Sequence, residues 1–338
     1  MKHGPVRTCI VGLGWWGGEH AKAARRVENL QVTACFARTP GKRAAFAAEH
    51  GCRPMESWEA VLRDPEIEAL ILATPHSTHP KLIEEAASAG KHVFAEKPFV
   101  LHVPDGQRAI AACERSGVRL AVGHQRRYQP AHRELKRLIE AGRLGQIIQA
   151  EANFSYDFGF RLDLSSWRAS PSESPAGSMT GLGVHHADTL QYLLGPAKCL
   201  AALSRSVHPR TPLDDVTGVL LEFESGLVGY LGTNMLTPKV YYIRLHGTEA
   251  NAWAENEGTV LTLHRKGAKR PKVARYAVEG DPVTHPVADE QAEFAAAIRG
   301  NRPPEVDGAA GLRASAVLEG ITVSAREGRT VDLAELYE

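Results

Sequence analysis

Three glycines, Gly12, Gly14 and Gly17, restrict this chain more than any other feature, because they stand directly after an apolar run of β character and open a helical pattern. In that setting they serve separate purposes, namely a tight turn, close approach of the backbone to a pyrophosphate, and close packing of helix on strand. The helix N-terminus that follows favours negative charge. Trp15 and Trp16 fill the variable positions and belong to the same candidate cofactor-binding set. A glycine-rich turn without a ligand is the other reading, and the position between strand and helix argues against it.

The same alternation continues down the first third of the chain. Short β-rich runs at Thr8–Val11, Gln31–Ala37, Ala69–Ala73, His92–Ala95 and Leu120–Val122 are separated by helical patterns near 15–27, 41–49, 78–89 and 104–116. This predicts a parallel sheet covered by helices on both faces. Gly51, Gly90 and Gly117 mark helix ends, and Ser77 or Thr78 is placed to cap the fourth helix. Beyond about residue 124 the strands lengthen and follow one another: 146–156, 198–207, 216–224, 227–234, 241–247, 260–264 and 272–278. Helices at Tyr128–Ala141, His185–Leu194, Asp289–Arg299 and Gly308–Arg326 are expected to cover one face of that second sheet. The fold class is therefore α/β. Residues 1–123 form a dinucleotide-binding Rossmann domain, and 124–338 an α+β domain with an open, mostly antiparallel sheet. A length of 338 residues fits two cores better than one.

Charge and cysteine usage narrow the partners. Forty basic against thirty-nine acidic side chains, without long like-charged blocks, argue against nucleic acid or an anionic membrane surface. Five scattered cysteines, odd in number and without a Cys-x-x-Cys pair, fit reduced thiols in a cytoplasmic protein. Neither a signal-peptide core nor a membrane-length apolar run is evident. The segment 161–177, rich in serine and proline, reads as a long loop of the kind that often serves as a lid.

Two places carry chemistry. An acid about twenty residues beyond the last glycine binds the adenosine ribose in NAD-type sites. Here that place holds Ala37, followed by Arg38, Thr39, Lys42 and Arg43, and the planar fork of Arg38 suits a 2′-phosphate. NADP(H) is preferred on this reading, with NAD(H) possible; a solvated helix start is the alternative, although basic groups there oppose the helix dipole. The second place is Ala95-Glu96-Lys97-Pro98, at a strand end where open α/β sheets bind ligands. Lys97, partly desolvated beside a cationic ring, can exchange a proton with a substrate oxygen, with Glu96 holding or balancing it. A strand-end lysine reaching water is the competing reading.

These residues, taken with Ala73-Thr74-Pro75-His76 and His79, Gly90-Lys91-His92-Val93, Arg126-Arg127-Tyr128, Trp167-Arg168 and Gly183-Val184-His185-His186-Ala187-Asp188, resemble the Gfo/Idh/MocA oxidoreductases over nearly the whole chain. The resemblance implies an N-terminal Rossmann domain, a C-terminal α/β domain supporting a homodimer or homotetramer, and a substrate lying between them. It gives Lys97 the proton-transfer role and His185 that of its partner. Ala73, Thr74, Pro75, His79 and Arg127 join the cofactor set by the same resemblance, and His124, Tyr128 and Trp167 the substrate set. Arg127 reads equally as an ion-pair partner. The family's Asp-x-Gly-x-His pattern becomes Gly181-Leu182-Gly183-Val184-His185 here. Either His185 and Lys97 suffice, or Asp188 or Asp163 substitutes, or the substrate lacks the hydroxyl that the aspartate grips. No metal is expected, because His185, His186 and Asp188 match no strong zinc spacing.

The implied activity is hydride transfer between nicotinamide C4 and a secondary carbinol or ketone of a sugar, cyclitol or similar polyol. A nicotinamide-dependent glycosidase and a non-catalytic nucleotide sensor are the two alternatives, a retained Lys97 weighing against the sensor.

Overall fold

The computed structural model describes residues 4–278 and 280–338, and the chain divides into two compact units. The first comprises the residues up to Val100 together with Pro104–Gln125 and Thr284–Leu312; the second comprises Leu101–Val103, Arg126–Val283 and Arg313–Glu338.

In the first unit, β1 (Val6–Val11), α1 (Trp15–Ala24), β2 (Leu30–Phe36), α2 (Pro40–His50), β3 (Arg53–Pro54), α3 (Trp58–Arg63), β4 (Ala69–Leu72), α4 (His79–Ser88), β5 (His92–Glu96), α5 (Val103–Arg115) and β6 (Leu120–Gly123) follow in order. Six strands form one parallel sheet in the order β3-β2-β1-β4-β5-β6. The order reverses between β1 and β4, so their carboxyl ends flank the crevice where such sheets take ligands. All four residues of β4 and of β6 are buried, as expected of strands covered on both faces. Gly51, Gly90 and Gly117 adopt φ of +70°, +72° and +66° and end their helices as anticipated. Thr78 does not cap α4 with its side chain: its hydroxyl donates instead to the Pro75 carbonyl at 2.6 Å.

The second unit contains α6 (Pro130–Glu140), β7 (Ile147–Ser155), α7 (Val184–Leu194), β8 (Ala197–Arg205), β9 (Val216–Phe223), β10 (Val228–Asn234), β11 (Val240–Gly247), β12 (Ala250–Glu255), β13 (Val260–Arg265) and β14 (Lys272–Arg275). After α8 (His285–Arg299) and α9 (Gly308–Glu327), β15 (Val331–Asp332) completes a nine-stranded sheet ordered β14-β13-β12-β11-β7-β10-β9-β8-β15. Within this sheet, only the β7–β10 pair is parallel among the described strands. β12 escaped the sequence reading because its Ala-Asn-Ala-Trp-Ala-Glu run has weak β propensity, and pairing with β11 and β13 overrides it.

Two boundaries need correction. The division falls after Gln125 rather than Gly123, and the expected assignment of α8 to the second sheet is wrong. Val287, Phe294 and Ala295 of α8 are buried with Ile10, Ile71 and Phe94 in the first core, where Phe294 meets Phe94 edge-to-face at 5.7 Å. An amphipathic pattern says that a helix has an apolar face, not which sheet receives it.

The second core also buries histidines. His132 of α6 donates through Nδ1 to the Arg126 carbonyl at 2.7 Å and stacks on Tyr241. Burial lowers it to about 4, from an ordinary 6.5. A base whose folded value is depressed costs stability below its unfolded value, since the unfolded chain then binds a proton that the folded chain refuses. The loss therefore begins near pH 6.5 and levels off near pH 4. It amounts to about 3 kcal/mol for His132. Urea unfolding at pH 7 and pH 4.5 is expected to show this decline, with a smaller difference in His132→Asn; equal pH dependence of the two proteins would exclude His132 as a source.

Candidate active site

Two loops meet at the crevice of the first sheet. Gly12 has φ of +98°, and a Cβ there would lie 2.3 Å from the Ala73 carbonyl oxygen; one on Gly17 would lie 2.2 Å from that of Gly12. Only glycine permits either approach. Gly14 differs, because nothing lies within 4 Å of where its Cβ would be. It precedes α1, whose first turn has no acidic residue and no side-chain cap. This open cradle in front of uncapped helix N–H groups fits a pyrophosphate. Trp15 is 70% exposed beside it. Trp16 is partly buried and packs edge-on against His20.

At the far end of the crevice β2 stops at Phe36, and Ala37 is followed by exposed Arg38 and Thr39. Arg43 turns back to donate to the carbonyls of Ala37 (2.8 Å) and Arg38 (3.3 Å), with its guanidinium over Phe36. Arg43 thus shapes the strand end, and Arg38 is left facing solvent. On the β4 side, Thr74 and Thr78 share a hydroxyl hydrogen bond of 2.8 Å. His79 is fully buried, with ring nitrogens 3.1 Å from the Phe99 carbonyl and 3.2 Å from that of Thr74. Burial lowers its basicity. It braces this loop from behind, so its inclusion among cofactor-contacting residues is corrected to a supporting position.

β5 ends in Glu96, and Lys97 follows through a cis Lys97–Pro98 peptide bond. Lys97 is half-buried, whereas Glu96 is 5% exposed. Glu96 accepts from the Lys97 amide at 3.1 Å through Oε2 and from His20 Nε2 at 2.8 Å through Oε1. Burial raises a carboxyl, but the hydrogen bond from His20, with Trp16 and the charge of Lys97 adding to it, holds Glu96 below its ordinary value. Gly123, opposite Glu96 on β6, leaves room for the carboxylate: a Cβ there would be 2.8 Å from Oε1. His124, next along, is buried in the same unit. The partner of Glu96 is thus His20, which sequence reasoning missed. Its one signal was a histidine three residues past Gly17, on the same side of α1.

In the second unit a π-helical turn, Met179–Gly183, leads into α7 and delivers His185 at its second position. Such turns often mark functional sites. His185 is 5% exposed and lies near the Phe154 ring. A Cβ on Gly183 would lie 2.1 Å from Met179 Sδ, so a larger residue there requires the buried Met179 side chain to shift. Gly181 is not so constrained, since a Cβ there would meet only Phe158 Cζ, at 3.9 Å. The missing carboxylate is therefore no steric necessity. Neither suggested substitute is aimed at replacing it. Asp188 is buried and accepts from Arg127 Nε (2.8 Å) and Nη2 (2.5 Å), while Asp163 is exposed and bonded to Ser165. Arg127, expected in the cofactor set, is thus engaged with Asp188 inside its own unit. His186 is fully buried with Nε2 3.2 Å from the Asn153 carbonyl. Tyr128 carries the Arg133 guanidinium on its ring, and Trp167 that of Arg168. Among the described residues no group of three or more His, Cys, Asp or Glu is arranged to hold a metal, and no helix is long and apolar enough to cross a membrane.

A Rossmann sheet with an open pyrophosphate cradle and a half-buried lysine one strand beyond the crevice defines a dinucleotide-dependent oxidoreductase. Residues 6–124 match the description "Oxidoreductase family, NAD-binding Rossmann fold" and 132–252 "GFO/IDH/MocA C-terminal domain". The chain belongs to the Gfo/Idh/MocA family, and it is a dehydrogenase or reductase. It is similar to D-apiose dehydrogenase of Paraburkholderia graminis, 28% identical over 98% of this chain and 90% of that one. Against scyllo-inositol 2-dehydrogenase (NAD(+)) of Bacillus subtilis the identity is 31%, covering 78% and 77%. A solved structure from Desulfitobacterium hafniense DCB-2, provisionally described as an NADPH-dependent oxidoreductase, superimposes with a TM-score of 0.92 at 31% identity over all of both chains.

Proposed function

We propose that this enzyme transfers a hydride between nicotinamide C4 and a secondary carbinol or ketone of a sugar, cyclitol or similar polyol, with NADP(H) preferred. The nicotinamide supplies or accepts the hydride when bound. The observation that carries the reading is Lys97, half-buried at the carboxyl end of β5 with the ionised Glu96 behind it. In oxidation its neutral amine takes the proton of the carbinol; in reduction its ammonium returns one. His185 is the second polar group of the reaction, orienting the substrate oxygen. The sugar and cyclitol names of the relatives support the substrate class. Gly181 and the open space beside it favour a substrate lacking a hydroxyl at that point, or bulkier there.

Ala37 and exposed Arg38 support the NADP(H) preference, while the Bacillus relative's name specifies NAD(+). Quenching of Trp15 and Trp16 fluorescence during titration with NADPH and NADH tests it directly. Tighter binding of NADPH is expected, with the preference reduced about tenfold or more in Arg38→Ala, as befits loss of a charge-assisted bond of about 1.5–3 kcal/mol. Equal or tighter NADH binding by the wild type would refute it.

A glycosidase-type reaction through transient oxidation is the second reading, favoured by one relative of broader chemistry, the 2,7-anhydro-N-acetylneuraminate hydratase of Escherichia coli, 26% identical over 89% of this chain. Turnover without net change in nicotinamide absorbance distinguishes it. A homodimer or homotetramer is proposed through the uncovered face of the second sheet, where Leu203, Leu220, Val228 and Tyr230 share one side and are exposed. A cytoplasmic setting is supported by the five free cysteines.

A further inference from the structure

A buried chain of polar contacts runs through the first unit behind Lys97. Gln291, fully buried on α8, donates through Nε2 to the backbone carbonyl of His20 at 3.1 Å and lies 2.9 Å from His20 Nδ1 through the same nitrogen. A carbonyl oxygen only accepts, so it fixes which end of the Gln291 amide faces His20. Turning the amide over would set two oxygens against each other. With Nε2 as the donor, His20 Nδ1 must be the acceptor and therefore carries no proton. The ring proton then sits on Nε2 and is donated to Glu96 Oε1 at 2.8 Å. The ring itself is fixed between Trp16 and Phe94, both meeting it edge-on.

We propose that Gln291 is a positioning residue that locks His20 as the neutral Nε2–H tautomer and thereby keeps Glu96 an acceptor-only carboxylate behind Lys97. One amide from near residue 290 thus sets the charge on the inner side of the lysine. A neutral imidazole orients Glu96 without cancelling its charge; an imidazolium in the same place would offset that charge and leave Lys97 less basic. Among charged and titratable groups Glu96 faces His20 and Lys97, with His79 farther off. The tautomer follows from the hydrogen bonds alone, whereas its effect on the reaction rests on the reading of Lys97 as the proton carrier.

The first experiment needs no substrate. In full-length protein with 15N-labelled histidine, long-range 1H–15N correlation is expected to show His20 with an unprotonated Nδ1 and a protonated Nε2, the signal being assigned by its loss in His20→Asn. A protonated Nδ1 in the wild type overturns the inference whatever the enzyme acts on. Gln291→Glu replaces the donor by an acceptor, so His20 is expected to become doubly protonated. The low-pH limb of kcat/KM for alcohol oxidation then moves to lower pH by about one unit, with NADPH affinity unchanged. Double protonation without movement of the limb overturns the link to Lys97. If Lys97→Met leaves the same limb in place, the error lies in the proposed role of the lysine instead. Should the glutamate variant fold poorly, Gln291→Leu, which removes the donor without supplying an acceptor, is read by the same correlation: a changed Nδ1 signal for His20 is expected, and an unchanged one overturns the role of Gln291.

Discussion

Lys97→Met is expected to lower kcat by about 10²–10⁴-fold, the usual contribution of a positioned acid or base, while NADPH binds as in the wild type. Methionine keeps the length and apolar stem of the side chain and removes only the amine. The backbone at this point is held independently of that amine, because the Lys97 amide donates to Glu96 and the strand pairs Ala95 with Val122 and Glu96 with Gly123. Steady-state rates on a sugar or cyclitol turned over by the wild type, with nucleotide affinity measured alongside, separate chemistry from binding. A loss below tenfold would remove Lys97 from proton transfer. Loss of NADPH binding together with activity would make it a cofactor contact instead.

The second large effect concerns stability. Asp188→Ala is expected to cost about 3–5 kcal/mol, the penalty for leaving one partner of a buried ion pair uncompensated. Side-chain exposure is 7% for Arg127 and 1% for Asp188, and the Arg127 guanidinium also lies over the Tyr192 ring. Removing both charges should be much milder. Arg127→Met with Asp188→Leu is expected to recover most of the loss, since a buried pair gains little over apolar groups of similar volume. Urea unfolding of the two single variants and the double variant closes the cycle. A double variant as unstable as the singles added together would show that the pair contributes no coupling and that the residues act separately.

What could be read in advance divides by distance along the chain. The glycine cradle was legible because Gly12, Gly14 and Gly17 act within one turn, and much of their reason is local: the positive φ of Gly12 and its carbonyl oxygen against Gly17. Lys97 was legible because a strand end points at the crevice by topology alone. Arg127 stands out in the sequence as a residue of consequence, yet its partner Asp188 lies 61 positions away and reads there only as a possible substitute acid. His20 and Gln291 were invisible: Glu96 lies 76 residues from His20, and Gln291 lies 271 from it. Periodicity marks buried positions without naming what they face. The same reason explains α8, whose apolar side was evident and whose destination was not.

The return of residues 284–312 to the first unit also bears on synthesis. A ribosome releases β1 to β6 long before Val287, Phe294 and Ala295 exist, and until then Ile10, Ile71 and Phe94 lack part of their cover. The nascent nucleotide unit must wait, incompletely sealed, while the whole nine-stranded sheet except β15 is translated. His20 waits with it for Gln291. The first module to emerge is thus finished only after most of the second has been made, and a fragment ending at Gln125 is not a domain but an interrupted one.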